Sequence, residues 1–286
     1  MKLNKCKVIV VANQKGGAAK STSANLVAYG LARIKKGCKV LLIDFDPQAS
    51  QTNSFIDGLE DNMFISPTHP SNIGLIFQNK VPKTLLIQDN LEEFSIHFLP
   101  ANDTLVDYAE STEMKYDEKI FALRNYINKI KIDYDYIVID TQPLFGVLTK
   151  SALVIADLLF VPIATRAVDE NGMKRFFEKT NELLGKYHTS IEKIIIMPTM
   201  YSKVKKESTR VLNAFKLYKN FICAMENFID TKVTILKEFP ERTSIQEAAA
   251  YKCFLIDYVN NVENSLVSKQ KKELIDIEQY IINSIK

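Results

Sequence analysis

The sequence predicts an α/β protein with a mostly parallel, twisted central sheet and helices on both faces. Three features lead there. Val8-Ile9-Val10-Val11-Ala12 is a β-branched run that passes into Asn13-Gln14-Lys15-Gly16-Gly17-Ala18-Ala19-Lys20-Ser21-Thr22 and then into a helical pattern. Two other apolar runs, Lys39 to Asp44 and Asp135 to Asp140, each end in an acid. Strands alternate with amphipathic helices along the chain, as parallel neighbours joined by helical crossovers require.

The loop after the first strand has the makeup of a phosphate cradle. Small residues let main-chain N–H groups turn inward, and the following helix N-terminus adds partial positive charge. Lys20 is placed to neutralise the β- and γ-phosphates of a nucleotide, and the Ser21 hydroxyl to hold Mg²⁺. The fold class is therefore that of a P-loop NTPase. Two features depart from the general pattern. Lys15 stands directly before the glycine pair, and Ala19 stands where glycine normally precedes the lysine. An alanine held at positive φ costs about 1–2 kcal/mol.

The composition fits a soluble globular chain, at 286 residues with 47% hydrophobic and 25% charged residues. A net charge of +3 is too slight to indicate a nucleic-acid partner, so the distribution of charge must carry that point. Cys6, Cys38, Cys223 and Cys253 form no CxxC pair and read as reduced cytoplasmic thiols. His69, His97 and His188 are scattered, against a metal cluster. No signal peptide or long apolar span appears, so no membrane partner is expected. With no repeat and no shift in composition, residues 1–286 read as a single domain.

In chain order, Thr22 to Ile34 forms the first helix, with Leu26, Ala28, Tyr29, Leu31 and Ala32 as its apolar face and Lys35-Lys36-Gly37 as a basic stop. Lys39 to Asp44 follows as a buried strand. Ligands of such sheets sit beyond the strands' carboxyl ends, where Lys20 and Asp44-Phe45-Asp46 both fall. A lone acid there can cap the next helix. Two acids beside a phosphate loop suit another task, one holding a metal-bound water and one aligning an attacking water, with Gln48 ordering the loop. From Ser54 to Val81 the pattern weakens into loops around a short helix near Ile73–Gln78. Phe94 to Pro100 alternates as a strand, which makes His97 a satisfied sheet residue rather than a catalyst.

Glu113 to Lys131 is an amphipathic helix with Ile120, Leu123, Tyr126, Ile127 and Ile130 inward. Asp135 to Asp140 is the next strand, and an acid at its end binds Mg²⁺ through water in phosphoryl-transfer sites. Leu158–Ile163 and Lys193–Thr199 are further buried strands flanking a helix from Glu170 to Tyr187, and Thr199-Met200-Tyr201 borders a base pocket. Lys203, Lys205, Lys206, Arg210, Lys216 and Lys219 share a largely helical segment in which Glu207 is the one acid. That segment is a solvated face or a surface for a polyanion. Thr234-Ile235-Leu236 reads as a strand and Gln246–Tyr251 as a short helix. The last helix, Val262 to Ile285, turns Leu266, Leu274, Ile277, Ile281 and Ile285 to one side. It is expected to pack on the sheet, since its Lys269-Lys271-Lys272 cluster is followed by acids, unlike a membrane-surface helix.

Taken together, these motifs resemble the ParA-type partition ATPases, of the deviant Walker A class that also holds MinD and the nitrogenase iron protein. The matching pieces are Asn13-Gln14-Lys15-Gly16-Gly17 with Lys20-Ser21-Thr22, Leu41 to Gln48, Phe98 to Asn102, Tyr136 to Thr141, Pro198 to Tyr201, and Glu247-Ala248. The resemblance implies that Lys15 crosses an ATP-sandwiched homodimer to the partner's phosphates. It implies that Lys20 binds the subunit's own phosphates, that Ser21, Asp44 and Asp140 serve the Mg²⁺ ion, and that Asp46 positions the hydrolytic water. Gly16, Gly17, Ala18, Ala19, Thr22, Met200 and Pro240 would complete the ATP site. It further implies an Mg-dependent ATPase of weak intrinsic activity, cytoplasmic and nucleoid-associated, that moves a plasmid or chromosome origin. Non-specific DNA would be held through Lys203, Lys205, Lys206, Arg210, Lys216, Lys219 and Arg242, and a centromere-bound ParB-type adaptor would trigger release. The N-terminal helix-turn-helix module of larger plasmid relatives is not expected here.

Three departures from the family pattern are Ala19 for glycine, Gln142 for the first of two prolines after Asp140-Thr141, and Ser244 in place of a DNA-contacting arginine, with Arg242 displaced by two residues. A MinD-like membrane switch and a regulator that no longer hydrolyses ATP are the competing readings.

Overall fold

The structure, a computed structural model, describes residues 6–56, 69–90, 93–165, 170–200, 208–237, 239–240, 248, 253–261 and 265–286. Its strands are β1 (Lys7–Val11), β2 (Cys38–Phe45), β3 (Leu85–Asn90), β4 (Phe94–Leu99), β5 (Tyr136–Thr141), β6 (Leu158–Ala164), β7 (Lys193–Thr199) and β8 (Lys232–Ile235). They form one eight-stranded sheet in the order β3-β4-β2-β5-β1-β6-β7-β8. Every pairing is parallel except that of β3 with β4 at one edge.

The helices are α1 (Lys20–Ala32), α2 (Ser50–Phe55), α3 (Thr104–Glu110), α4 (Tyr116–Ile130), α5 (Val147–Leu153), α6 (Glu170–Tyr187), α7 (Ser208–Cys223), α8 (Leu255–Asn261) and α9 (Ser265–Ile285), with a 3-10 turn at Ile73–Gln78. Alternate strand residues feed two cores. Val8, Val10, Leu41, Ile43, Ile137 and Ile139 pack with α4 to α7 on one face. Ile9, Val11, Val40, Leu42 and Val138 pack with α1, α8 and α9 on the other. Burial on both faces is why these central strands read as continuous apolar runs.

The last helix uses its apolar face inside the fold. Leu274, Ile281 and Ile282 are buried, and a Cβ added to Gly30 of α1 would lie 2.7 Å from the Ile282 side chain. Gly30 thus permits the close approach of α1 and α9. Arg33, directly after α1, donates to Glu278 of α9 at 3.2 Å, and Tyr29 of α1 donates to Asp257 of α8. Among the described residues, no helix is long and apolar enough to cross a membrane.

Several bounds differ from the sequence reading. α1 begins at Lys20 rather than Thr22, because the loop ends in a left-handed Ala19 (φ 63°) directly before it. Gly37, at φ 73°, provides the turn into β2. α4 begins at Tyr116 rather than Glu113, α9 at Ser265 rather than Val262, and β8 spans Lys232–Ile235. The short helix expected near Ile73–Gln78 is a 3-10 helix, and the strand expected over Phe94–Pro100 spans Phe94–Leu99. His97 lies in that strand, its Nδ1 3.0 Å from the Tyr134 hydroxyl. The expected helix over Gln246–Tyr251 lies, apart from Ala248, outside the described residues.

Candidate nucleotide site

The register of the sheet sets out the site. Val11 of β1 lies opposite Asp140 of β5, and Asp140 lies opposite Asp44 of β2, so the phosphate loop and both acids leave the sheet at one level. The loop between β1 and α1 is suspended by side chains. Asn13 accepts from the Lys15 N–H at 3.1 Å and donates to the Pro162 carbonyl at 2.6 Å. Thr199, at the end of β7, donates to the Ala18 carbonyl at 3.1 Å, and Thr141 to the Val11 carbonyl at 2.9 Å. Gly17 (φ 70°) and Ala19 (φ 63°) both take the left-handed conformation, and the Ala19 carbonyl starts α1 by accepting from the Ser23 N–H at 2.9 Å. For Gly17 this conformation costs little, while Ala19 sits against its steric preference.

Above the loop lies a cavity of about 520 Å³, lined by Gly16, Gly17, Ala18, Ala19, Lys20, Ser21, Thr22, Asp46, Gln48, Ser50, Pro143, Met200, Phe239 and Pro240. This volume is in the range of sites that enclose a small ligand. Of the residues assigned from the sequence to the nucleotide, Gly16, Gly17, Ala18, Ala19, Lys20, Ser21, Thr22, Met200 and Pro240 line it, Lys15 and Thr199 do not, and Tyr201 lies outside the described residues. Met200 reaches the cavity from a left-handed turn (φ 56°) just past β7, where its carbonyl accepts from Thr165 at 3.3 Å.

Lys20 is buried, with Nζ 3.3 Å from the Lys15 carbonyl. Burial lowers its pKa, and the charges of Asp140 and Asp46 work in the opposite direction. Asp44 and Asp140 are both fully buried beneath the cavity. Asp44 is pushed up to about 6 by burial, with bonds from Thr52 and the Asp46 amide drawing it back. Asp140 is raised well above the ordinary carboxylate value, first by burial and next by the charge of Asp44, while the Ser21 hydroxyl and Lys20 oppose the rise. Among the described residues neither Asp140 oxygen has a partner at full hydrogen-bond geometry, with the Ser21 hydroxyl standing near it.

A buried carboxylate without donors, beside a hydroxyl at the phosphate end of a cavity, is a donor set of hard oxygens that fits Mg²⁺. Asp46 lines the cavity and accepts from the Gln48 N–H at 2.9 Å, while Ala49 (φ 54°) closes its loop with an N–H bond of 2.8 Å to the Asp46 carbonyl.

The expected DNA-binding residues fall differently. Lys203, Lys205, Lys206 and Arg242 lie outside the described residues. Arg210, Lys216 and Lys219 are on α7, where Lys216 and Lys219 are exposed. Sequence reasoning missed Thr52, Gln51 and Phe239, and gave Thr199 to the base pocket without its bond to the phosphate loop. The signal available for Thr52 and Gln51 was their closeness to the Asp44–Gln48 run.

A sequence model of the AAA domain family matches residues 6–193. The chain belongs to the ParA-type partition ATPases. Within that family it is similar to the chromosome-partitioning ATPase Soj of Treponema pallidum, 29% identical over 216 residues that cover 74% of this chain and 78% of the relative. A plasmid partition protein of Borrelia burgdorferi, solved with AMPPNP, superposes with a TM-score of 0.67 at 25% identity, over 96% of this chain and 98% of that one. The pNOB8 ParA bound to nonspecific DNA has the same fold, with a TM-score of 0.65 at 20% identity over 98% of each chain.

Proposed function

We propose that this ParA-type chain is an ATP-dependent DNA partition switch, one ATPase domain that works as a homodimer. Mg-ATP enters the cavity above the phosphate loop. Lys20 and the loop amides hold its phosphates, Ser21 and Asp140 serve the metal with Asp44 beside it, and Asp46 aligns the attacking water. Phosphoryl transfer needs mainly such positioning and charge neutralisation. The observation that carries this reading is the split between the two lysines. Lys20 lines the cavity of its own subunit and Lys15 does not. That split supports the role the family signature implies for Lys15, service to a second copy's phosphates.

Two copies joined in this way double the exposed cations of α7, among them Lys216 and Lys219. A surface of that kind holds duplex DNA without reading sequence and weakens steeply with salt. Hydrolysis, stimulated by a centromere-bound ParB-type adaptor, would open the dimer and release the DNA. The intrinsic rate is slow, so that the closed state lasts long enough to bind, and the protein acts in the cytoplasm on the nucleoid.

The test is light scattering with Asp46→Ala, with and without Mg-ATP, followed by DNA shift at graded salt. The expected result is an ATP-dependent dimer that retains DNA and does not turn over. A variant that stays monomeric in saturating Mg-ATP, or that hydrolyses rapidly, would refute the reading. Pelleting with anionic liposomes under the same conditions separates it from a membrane-bound switch.

A further inference from the structure

We propose that Thr52, which lies outside the motifs that mark the site, is a positioning residue for Asp46 and acts through Asp44. The proposal rests on the reading of the site as one that hydrolyses ATP. Thr52 Oγ1 lies 3.0 Å from the N–H of Ala101, just past β4, and 2.9 Å from Asp44 Oδ2. An amide can only donate, so the hydroxyl accepts from Ala101 and its single proton is committed to Asp44. The Thr52 N–H gives the same carboxylate oxygen a second bond of 2.9 Å. The other oxygen, Oδ1, accepts from the Asp46 N–H at 3.2 Å.

Asp44 is thus oriented by Thr52 through one oxygen and holds the main chain of Asp46 with the other. Ala101, Thr52, Asp44 and Asp46 are 3%, 6%, 0% and 7% exposed, so water has little access with which to replace the hydroxyl. Thr52 lies on α2, whose neighbouring Gln51 donates to the Ser21 carbonyl at the start of α1. α2 is thereby fastened to the phosphate-loop helix and to the acid-bearing strand together. Loss of the hydroxyl frees the Asp44 carboxylate to turn, and Asp46 shifts with it. Water alignment tolerates little displacement. ATP binding, made by the loop amides and Lys20, does not pass through this path.

The experiment compares wild type, Thr52→Val and Thr52→Ser. For Thr52→Val we expect kcat to fall roughly 10- to 100-fold, the scale for residues that orient a metal-site ligand. The Kd for a fluorescent ATP analogue should stay within about twofold. Thr52→Ser, which keeps the hydroxyl, should restore most of kcat. An independent readout needs no turnover: in nucleotide-free protein, the amides of Ala101 and Asp46 should exchange hydrogen faster in Thr52→Val and at the wild-type rate in Thr52→Ser.

Wild-type kcat in Thr52→Val, or unchanged exchange at Asp46, overturns the proposal. So does a parallel loss of binding and turnover that serine does not restore, which would mark a residue that only supports the fold. Thr52→Ala, which keeps the Thr52 N–H bond, gives the same readings should the valine variant not fold, and failure of both to fold also counts against the proposal. If wild type itself shows no hydrolysis, the ATPase reading falls, while the exchange data still judge the link from Thr52 to Asp46.

Discussion

Asp44 and Asp140 lie directly opposite each other on adjacent parallel strands, both fully buried, yet they are served unequally. Among the described residues Asp44 accepts three protein hydrogen bonds of good geometry, and Asp140 accepts none. Two carboxylates that share one buried site raise each other's pKa, and the one without donors gains more stability from a proton or a cation. The asymmetry suits the separate tasks proposed for them, with Asp44 holding the Asp46 amide and Asp140 serving the metal.

Asp140→Asn should therefore make the nucleotide-free protein more stable, by about 1–3 kcal/mol at neutral pH, because it removes a buried carboxyl whose charged form Ser21 and Lys20 compensate only in part. The same change should abolish the gain in ATP affinity that Mg²⁺ confers. Thermal denaturation without nucleotide, together with ATP-analogue titrations with and without Mg²⁺, checks both halves. A fall in apo stability with Mg²⁺ dependence intact would contradict the role given to Asp140.

Ala19 holds φ 63° at the start of α1. Ala19→Gly should relieve that strain, partly offset by the greater freedom of glycine in the unfolded chain, for a net gain of up to about 1 kcal/mol. Ala19→Val should destabilise by more, since a β-branched residue strongly disfavours the left-handed region. The melting temperatures of the two variants should lie on opposite sides of wild type.

The pH dependence of stability should carry the mark of Glu278. This side chain is 1% exposed where α9 packs on α1, with Oε1 unpartnered among the described residues and Oε2 bonded to Arg33. Burial pushes its carboxyl from an ordinary value of 4.5 up to about 7, with Arg33 opposing. The folded chain then retains a proton that the unfolded chain has lost. Stability falls as pH rises from about 4.5 to about 7 and is level above that, a change of about 3 kcal/mol for this group. Glu278→Gln should flatten that interval and raise stability at pH 8 by about 1–3 kcal/mol. Thermal denaturation at pH 5 and pH 8 measures the difference.

How much of this was legible in the sequence follows from burial and element length. β1, β2, β5, β6 and β7 are covered on both faces, so their unbroken apolar runs declare them. β3 is the antiparallel edge strand, with Gln88, Asp89 and Asn90 in it and a register shift between Leu86 and Gln88, so no alternating pattern survives. α2, α3 and α5 have six or seven residues, too few for a helical period to repeat. In the site, Lys20 and the acids stand inside compact motifs. Thr199 reaches Ala18 across 181 residues and Thr52 reaches Ala101 across 49, contacts that only the sheet order brings about.

The two lysines of the phosphate loop should fail in different ways. Lys20 is buried and lines the cavity, where burial lowers its pKa and the charges of Asp140 and Asp46 oppose that fall. Lys20→Ala removes the one lysine that lines the cavity among the described residues and leaves those carboxylates facing the phosphates, so ATP-analogue binding should weaken at least 100-fold, about 3 kcal/mol. Lys15 does not line the cavity of its own subunit. Lys15→Ala should keep the monomer's affinity for the analogue within about threefold, a change of less than 1 kcal/mol. It should lose the ATP-dependent dimer and, with it, DNA retention at moderate salt. Analogue titration and light scattering on both variants make the comparison. Equal loss of ATP binding in the two would mean that Lys15 acts within its own subunit, and the proposed exchange of lysines between copies would fall.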